Sequence, residues 1–269
     1  MTIVVTGATG RLGGRVAARL ARPQRLLVRD AARAPRIAGA SVAVADYSDS
    51  AAVRAGLAGA DVVLMVSAAE NPDRIAQHRA FVDAAAAAGI GHLVYTSFMG
   101  ARPDATFTLA RDHWATEEHI RGAGLPHTFL RDNLYADFVP ALAGTDGVIR
   151  GPGGDGRVAV VAQDDIADAI VAVLRDPAPH AGQTYDLTGP QAHSFAELAA
   201  AIGARYHAET VEEAYASRAV YGAPQWQVDA WVSTYTAVAA GELDTVDPAL
   251  ERLTGRPATS LAEVLRQRP

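Results

Sequence analysis

The residues best equipped for chemistry stand at the start of the chain. Thr6-Gly7-Ala8-Thr9-Gly10-Arg11-Leu12-Gly13-Gly14 spaces Gly7, Gly10 and Gly13 three apart. The stretch follows a short apolar run, Thr2 to Val5, and leads into an amphipathic run from Arg15. Glycine permits a tight turn and leaves no Cβ between the backbone and a ligand. A helix beginning there offers N–H groups without intrahelical acceptors and the positive end of its dipole. Strand, glycine turn and helix start, in that order, bind a pyrophosphate. Gly-x-x-Gly-x-x-Gly is a variant of the dinucleotide fingerprint with one more residue between the first two glycines. Gly7, Ala8, Thr9, Gly10, Arg11, Leu12 and Gly13 are therefore the expected pyrophosphate cradle.

Gln24 to Arg29 reads as a second strand, and the end of that strand is where the adenosine ribose is held. Arg29 stands there, followed by Asp30, with Arg33 close behind. A guanidinium suits a 2′-phosphate, so the expected cofactor is NADPH. Asp30 offers an acceptor for a ribose hydroxyl, which leaves NADH open. A third strand, Ser41 to Ala45, ends at Asp46-Tyr47, and a helix follows over 49–57. Asp61 to Ser67 is continuously apolar, as a parallel strand buried on both faces is. A helix over 72–88, stopped by Gly89, leads to the strand His92 to Ser97. Strands alternating with helices predict an α/β fold, a Rossmann-like doubly wound parallel sheet. Ligands sit at the carboxyl ends of such strands, which adds Asp46, Ser67, Thr96 and Ser97 to the cofactor candidates.

Further along, Asp112 to Arg121 predicts a helix and His127 to Leu130 a strand, after which Arg131-Asp132-Asn133-Leu134-Tyr135 leaves the sheet edge. Gly144 to Gly156 reads as loop and Val158 to Val161 as a short strand. A helix over 164–174 takes Asp164 or Asp165 as its N-cap. Gln183 to Leu187 reads as strand. Ser194-Phe195-Ala196-Glu197 and Ser260-Leu261-Ala262-Glu263 are capping boxes, and helices are expected over 211–220 and 225–239. The expected organisation is an NAD(P)-binding domain over 1–131 and a smaller, mostly helical substrate lobe over 132–269. Residues 158–188 are expected to return to the sheet, and a cleft is expected between the lobes.

Composition narrows the function. The chain has 269 residues, 49% hydrophobic and 20% charged, enough for a sizeable globular core. The net charge of −6 argues against a nucleic-acid surface. No apolar run reaches membrane length, and the first strand begins at residue 2, so the expectation is a cytoplasmic protein without a membrane partner. Cysteine is absent, which removes disulfides, thiol nucleophiles and thiolate metal sites, and no metal site is expected. All 24 basic residues are arginine. Schiff-base chemistry, a P-loop lysine and a lysine-assisted tyrosine are thereby excluded.

Thr6-Gly7-Ala8-Thr9-Gly10-x-Leu12-Gly13, Val28-Arg29-Asp30, Ala45-Asp46-Tyr47, Gln77-His78-Arg79, Tyr95-Thr96-Ser97 and Arg131-x-Asn133-x-Tyr135 together resemble the NmrA-like atypical short-chain dehydrogenases. Within them the pattern is similar to the bacterial type-2 NADPH:quinone oxidoreductases. The ending Leu253-Thr254-Gly255-Arg256-Pro257-Ala258-Thr259-Ser260 is similar as well, so the resemblance covers the whole chain. It implies NAD(P)H-dependent reduction of a small molecule, a quinone or related aromatic, by hydride transfer. A tailoring enzyme for an aromatic polyketide or other natural-product quinone fits the same motifs, as does a dinucleotide-binding redox sensor without catalysis. A homodimer is compatible with each. Counting back from Glu117, the resemblance puts His113 at the usual lysine position and Leu109 at the usual tyrosine position. The common proton donor is missing. His113 and Tyr135 are then the expected catalytic residues, with Asn133 beside the nicotinamide.

Overall fold

Four fully buried residues, Ile-Val-Val-Thr, form β1 (Ile3–Thr6) in the computed structural model, which describes residues 1–267. Arg268 and Pro269, the last two residues of the expected substrate lobe, lie outside the described residues. The chain continues through α1 (Arg11–Arg19), β2 (Gln24–Val28), β3 (Ser41–Val44), α2 (Ser50–Leu57), β4 (Val62–Met65), α3 (Arg74–Ala88), β5 (His92–Phe98), α4 (Thr108–Gly122) and β6 (His127–Asp132). Then follow β7 (Val148–Gly151), β8 (Arg157–Val158), α5 (Gln163–Arg175), β9 (Thr184–Leu187), β10 (His193–Ser194), α6 (Phe195–Ala201) and β11 (Arg205–Ala208). The chain closes with α7 (Val211–Arg218), α8 (Gln225–Ala239), α9 (Ala249–Thr254) and α10 (Leu261–Arg266).

Contacts divide the chain into two units. The first comprises 1–97, 114–131 and 166–185; the second comprises 98–113, 132–165 and the chain from Asp186 on. Residues 98–113, read from sequence with the first domain, belong to the second unit, and 166–185 belong to the first.

Seven strands form one sheet in the order β3-β2-β1-β4-β5-β6-β9. β1 pairs in parallel with β2 on one side and β4 on the other, with Ile3 opposite both Gln24 and Val62. β2–β3 and β4–β5 are parallel too. The chain therefore winds outward from β1 in both directions, so the strand order reverses between β1 and β4, the place where open α/β sheets generally take ligands. Val4, Leu27, Val63, Met65, Leu93 and Tyr95 pack against Val53, Leu57, Phe81 and Ala85 of α2 and α3. Burial of each such apolar side chain contributes about 1.5–3 kcal/mol. Gly89 ends α3 in the left-handed region at φ 68°, as its glycine predicts.

The second unit holds its own core, with Phe195, Leu198 and Ala199 of α6 against Ile149, Val158, Ala237 and Val238. It is not purely helical. β7 pairs in parallel with β11, and β8 pairs antiparallel with β10. The stretch 144–156, expected as loop, contains β7, and β11 was not anticipated. Both are only four residues long, too short for a pattern such as the alternation of Arg205-Tyr206-His207-Ala208 to be decisive, and each takes its partner from far away in sequence. The capping boxes at Ser194–Glu197 and Ser260–Glu263 form as read, and Thr210–Glu213 makes another. α5 already begins at Gln163, so Asp164 and Asp165 stand inside its first turn and not at its N-cap position. Asp165 instead lies buried and accepts from Arg256 Nη2 at 2.7 Å, Thr259 N–H at 2.6 Å and Thr259 Oγ1 at 2.8 Å. The C-terminal segment claims it for tertiary structure.

Candidate functional site

In the first unit the glycine turn joins β1 to α1. Gly7 has φ +64°, a region that favours glycine, and a Cβ there would stand 2.9 Å from the Val66 Cβ. A Cβ on Gly13 would come within 2.4 Å of the Gly7 carbonyl oxygen, so α1 presses directly onto the turn. Gly10 is exposed and extended, at φ −95° and ψ 177°, and occupies the N-cap of α1. Among the described residues no side-chain hydrogen bond caps this helix start, and no acid lies in its first turn. α6, α7 and α10, by contrast, each carry a full capping box. A helix start left to its backbone N–H groups, at the switch point of the sheet, fits a pyrophosphate. Ala8 and Leu12 are buried beneath it, while Thr9 is half-buried and Arg11 exposed.

The turn is braced from below. Thr6 Oγ1 accepts the Val66 N–H at 2.9 Å and bonds the Tyr47 hydroxyl, which in turn donates to the Val66 carbonyl at 2.7 Å. Burial pushes the Tyr47 phenol well above its ordinary pKa, so it stays a neutral donor. The segment after β4 is pinned in the same way. Ser67 N–H donates to Thr96 Oγ1 at 2.9 Å, and Arg74 Nε donates to the Ala68 carbonyl at 3.0 Å. Ala68 N–H donates to His78 Nε2 at 2.9 Å. That nitrogen is therefore unprotonated, and Nδ1–H donates to Thr116 Oγ1 at 2.9 Å. Burial first, with Arg74 nearby, lowers the His78 pKa to about 3. Tyr47 and His78 stood in the sequence motifs, but their bracing role depends on partners distant along the chain.

At the neighbouring strand ends, Arg29 is exposed and Asp30 accepts the Ala32 N–H at 2.9 Å, capping a short turn over Ala31–Arg33. Asp46 accepts from Ser48 Oγ at 2.6 Å and Ser48 N–H at 3.0 Å; these bonds, with Arg29 behind them, hold its carboxyl below the usual range. Ser97 Oγ donates to Glu117 at 2.6 Å. The hydroxyls of Thr96 and Ser97 thus serve the scaffold of the strand ends.

The remaining predicted residues belong to the second unit. His113 is buried, its ring 6.2 Å from that of Phe98. Asn133 is buried and its Nδ2 donates to the Leu243 carbonyl at 3.0 Å and to Met99 Sδ at 3.2 Å. Its Oδ1 accepts the Leu134 N–H at 2.7 Å. Tyr135 is half-buried, edge-on to Phe138 at 5.5 Å, and its hydroxyl bonds Asp132 at 2.9 Å.

Gly10 is the clean probe of the cradle, because its backbone conformation suits any residue and a Cβ would meet only the Gly7 oxygen, at 3.2 Å. Gly10→Val is expected to fold and to lose dinucleotide affinity by at least about tenfold, roughly 1.4 kcal/mol, as measured by titration. Unchanged affinity in the folded variant removes the pyrophosphate from this turn.

Comparison with known proteins gives the following. The family described as NAD(P)H-binding matches residues 7–177. Quinone oxidoreductase 2 of Escherichia coli is 33% identical over 97% of this chain and 96% of its own length. NAD(P)H azoreductase of Xenophilus azovorans is likewise 33% identical, over 97% and 96%. The crystal structure of the NADPH-dependent quinone oxidoreductase of Escherichia coli complexed with NADPH superposes with a TM-score of 0.89 at 32% identity, covering 99% of both chains.

Proposed function

We propose that this chain, which belongs to the NAD(P)H-binding family, reduces a quinone or related aromatic by hydride transfer from NADPH. The observation that carries the reading is similarity along nearly the whole chain to both a quinone oxidoreductase and an azoreductase. Bound NAD(P)H supplies the hydride; the protein supplies binding, orientation and electrostatics. The N–H groups of the Gly7–Gly13 turn hold the pyrophosphate. Arg29, with Arg33, takes the 2′-phosphate. Asp30 is engaged in capping its own turn, which supports NADPH over NADH.

Quinone reduction yields an aromatic product, so positioned hydride delivery does most of the work without a lysine-assisted tyrosine. His113 and Tyr135 serve the substrate. Asn133, with both its amide and its carbonyl engaged, orders the segment before Tyr135. The substrate is a small molecule. No helix among the described residues is long and apolar enough to cross a membrane. The net charge of −6 argues against a nucleic-acid partner, and the cytoplasm is the compartment proposed for the chain. A homodimer would cover part of the apolar surface exposed at Val42 and Val44 on the edge strand β3.

The test is oxidation of NADPH with a panel of quinones, followed by loss of reduced-nicotinamide absorbance. Turnover is expected; tight binding without turnover on any acceptor makes the protein a sensor and overturns the reading. In the same assay Arg29→Ala is expected to weaken NADPH by about 1.5–3 kcal/mol, the range for a charge-assisted contact, and to leave NADH nearly untouched. Equal losses for both would transfer the selectivity away from Arg29.

A further inference from the structure

Four buried acids of this protein are treated differently; Glu209 meets Arg218. Glu117 meets Arg131 and Arg121, and Asp165 meets Arg256 and Thr259. Asp132, at the last position of β6 and 2% exposed, has among the described residues one hydrogen-bond partner for its carboxyl, the Tyr135 hydroxyl. Its other oxygen, Oδ1, is buried without a partner among them. An ionised carboxylate in such a place is strongly disfavoured, whereas a neutral acid is not.

We propose that Asp132 is a positioning residue that aims the Tyr135 hydroxyl: protonated, it donates to Tyr135 Oη and turns the phenolic proton toward the substrate oxygen; ionised, it draws that proton back. The proposal rests on the reading of the protein as a quinone reductase. Geometry makes the pair a two-position device. The Asp132 carbonyl accepts the Met99 N–H at 2.8 Å, which fixes the carboxyl on the strand. Leu134 and Ala136, on either side of Tyr135, bond Val161 through their backbones at 2.9 and 2.8 Å, and the ring lies edge-on to Phe138 at 5.5 Å, which together set the Tyr135 hydroxyl against the Asp132 carboxyl. Among the described residues the titratable group facing the carboxyl is Tyr135. Burial raises the Asp132 pKa and the tyrosine bond lowers it; burial dominates and brings it to about 8. The acid is thus neutral at physiological pH and ionises just above it.

The proton balance is complete. As hydride reduces the substrate, the Tyr135 O–H bond breaks and an O–H bond forms on the substrate oxygen. The Asp132 O–H bond breaks and its proton passes to Tyr135 Oη. The carboxylate left behind takes a proton from water before the next turnover.

The experiment has two arms. In the first, kcat/KM for a simple benzoquinone is measured across neutral and alkaline pH for wild type, Asp132→Asn and Tyr135→Phe. Wild-type activity is expected to fall about tenfold per pH unit above about 8. Asp132→Asn, whose amide donates at every pH but passes on no proton, is expected to be roughly threefold to tenfold slower at neutral pH and to lose that fall. A wild-type fall retained unchanged in Asp132→Asn overturns the proposal. The second arm uses the unliganded protein and no turnover: infrared difference spectroscopy of the protonated carboxyl band. That band is expected at neutral pH, to vanish through about pH 8 together with a shift of the tyrosine C–O band, and to be missing in Asp132→Asn. Its absence from wild type at neutral pH overturns the proposal. Failure of wild type to turn over any quinone instead sinks the reductase reading, and the infrared arm then decides the Asp132–Tyr135 switch alone.

Discussion

Glu117→Ala is expected to destabilise the protein by about 3–5 kcal/mol in denaturant titration, although Glu117 is only indirectly linked to the nucleotide. Its carboxylate is fully buried on α4. One oxygen accepts from Ser97 Oγ at 2.6 Å and Arg131 Nε at 2.8 Å; the other accepts from Arg131 Nη2 at 2.7 Å and Arg121 Nη2 at 3.3 Å. Arg131 thus makes a two-toothed contact from β6, while Ser97 contributes from β5. Removing the carboxylate takes the Glu117 ion pair from the largely buried Arg131 guanidinium, which is the costly half of breaking a buried pair. The same logic makes the prediction testable in a second way. Replacing both partners by apolar residues of similar size, Glu117→Leu with Arg131→Met, removes charge and counter-charge together and is expected to recover most of the loss. A Glu117→Ala variant within about 1 kcal/mol of wild type, or a double variant as unstable as the single one, contradicts this account of the strand ends.

Glu117 also illustrates what a sequence discloses. In the sequence it served as a marker for His113, four residues earlier. Its actual partners, Ser97 and Arg131, lie 20 and 14 residues away, and no helical or strand period links them. The β1 strand, glycine turn and α1 were legible because all their determinants are local: apolar run, glycine spacing, amphipathic onset. The alternating strands and helices of the sheet were legible for the same reason. β7 and β11 were not, because two short strands acquire their identity only by pairing with one another. Asp165 looked like a cap because aspartate at a helix start usually is one; Arg256 and Thr259, 91 and 94 residues on, override that local preference. Asn133 and Tyr135 were picked out as chemical groups. Asp132 drew no role of its own within the polar stretch leaving the sheet edge, since burial is not written in its type.

Acid is expected to weaken the protein through His78, and the sign follows from its surroundings. Its native pKa is lowered to about 3, against 6.5 for an ordinary histidine. Between those values the unfolded chain binds a proton that the native state refuses, so stability is fully present above about pH 6.5 and is lost as pH falls toward 3. Each pH unit inside that window removes about 1.4 kcal/mol, and the whole interval amounts to about 5 kcal/mol. The structural event is specific. His78 Nε2 accepts the Ala68 N–H; protonation would set two donors against each other and release the segment after β4, at the switch point where the dinucleotide is proposed to lie. Urea titrations of wild type and His78→Gln at descending pH isolate the effect, because other carboxylates and histidines contribute to both. Wild-type stability is expected to fall more steeply than that of the variant, by about 1.4 kcal/mol per unit between pH 6 and pH 4. Hydrogen exchange at the Ala68 amide should lose protection in wild type over the same window. Parallel stability curves would mean that His78 ionises without penalty in the native state, and the bracing assigned to it around Ala68 would fall with them.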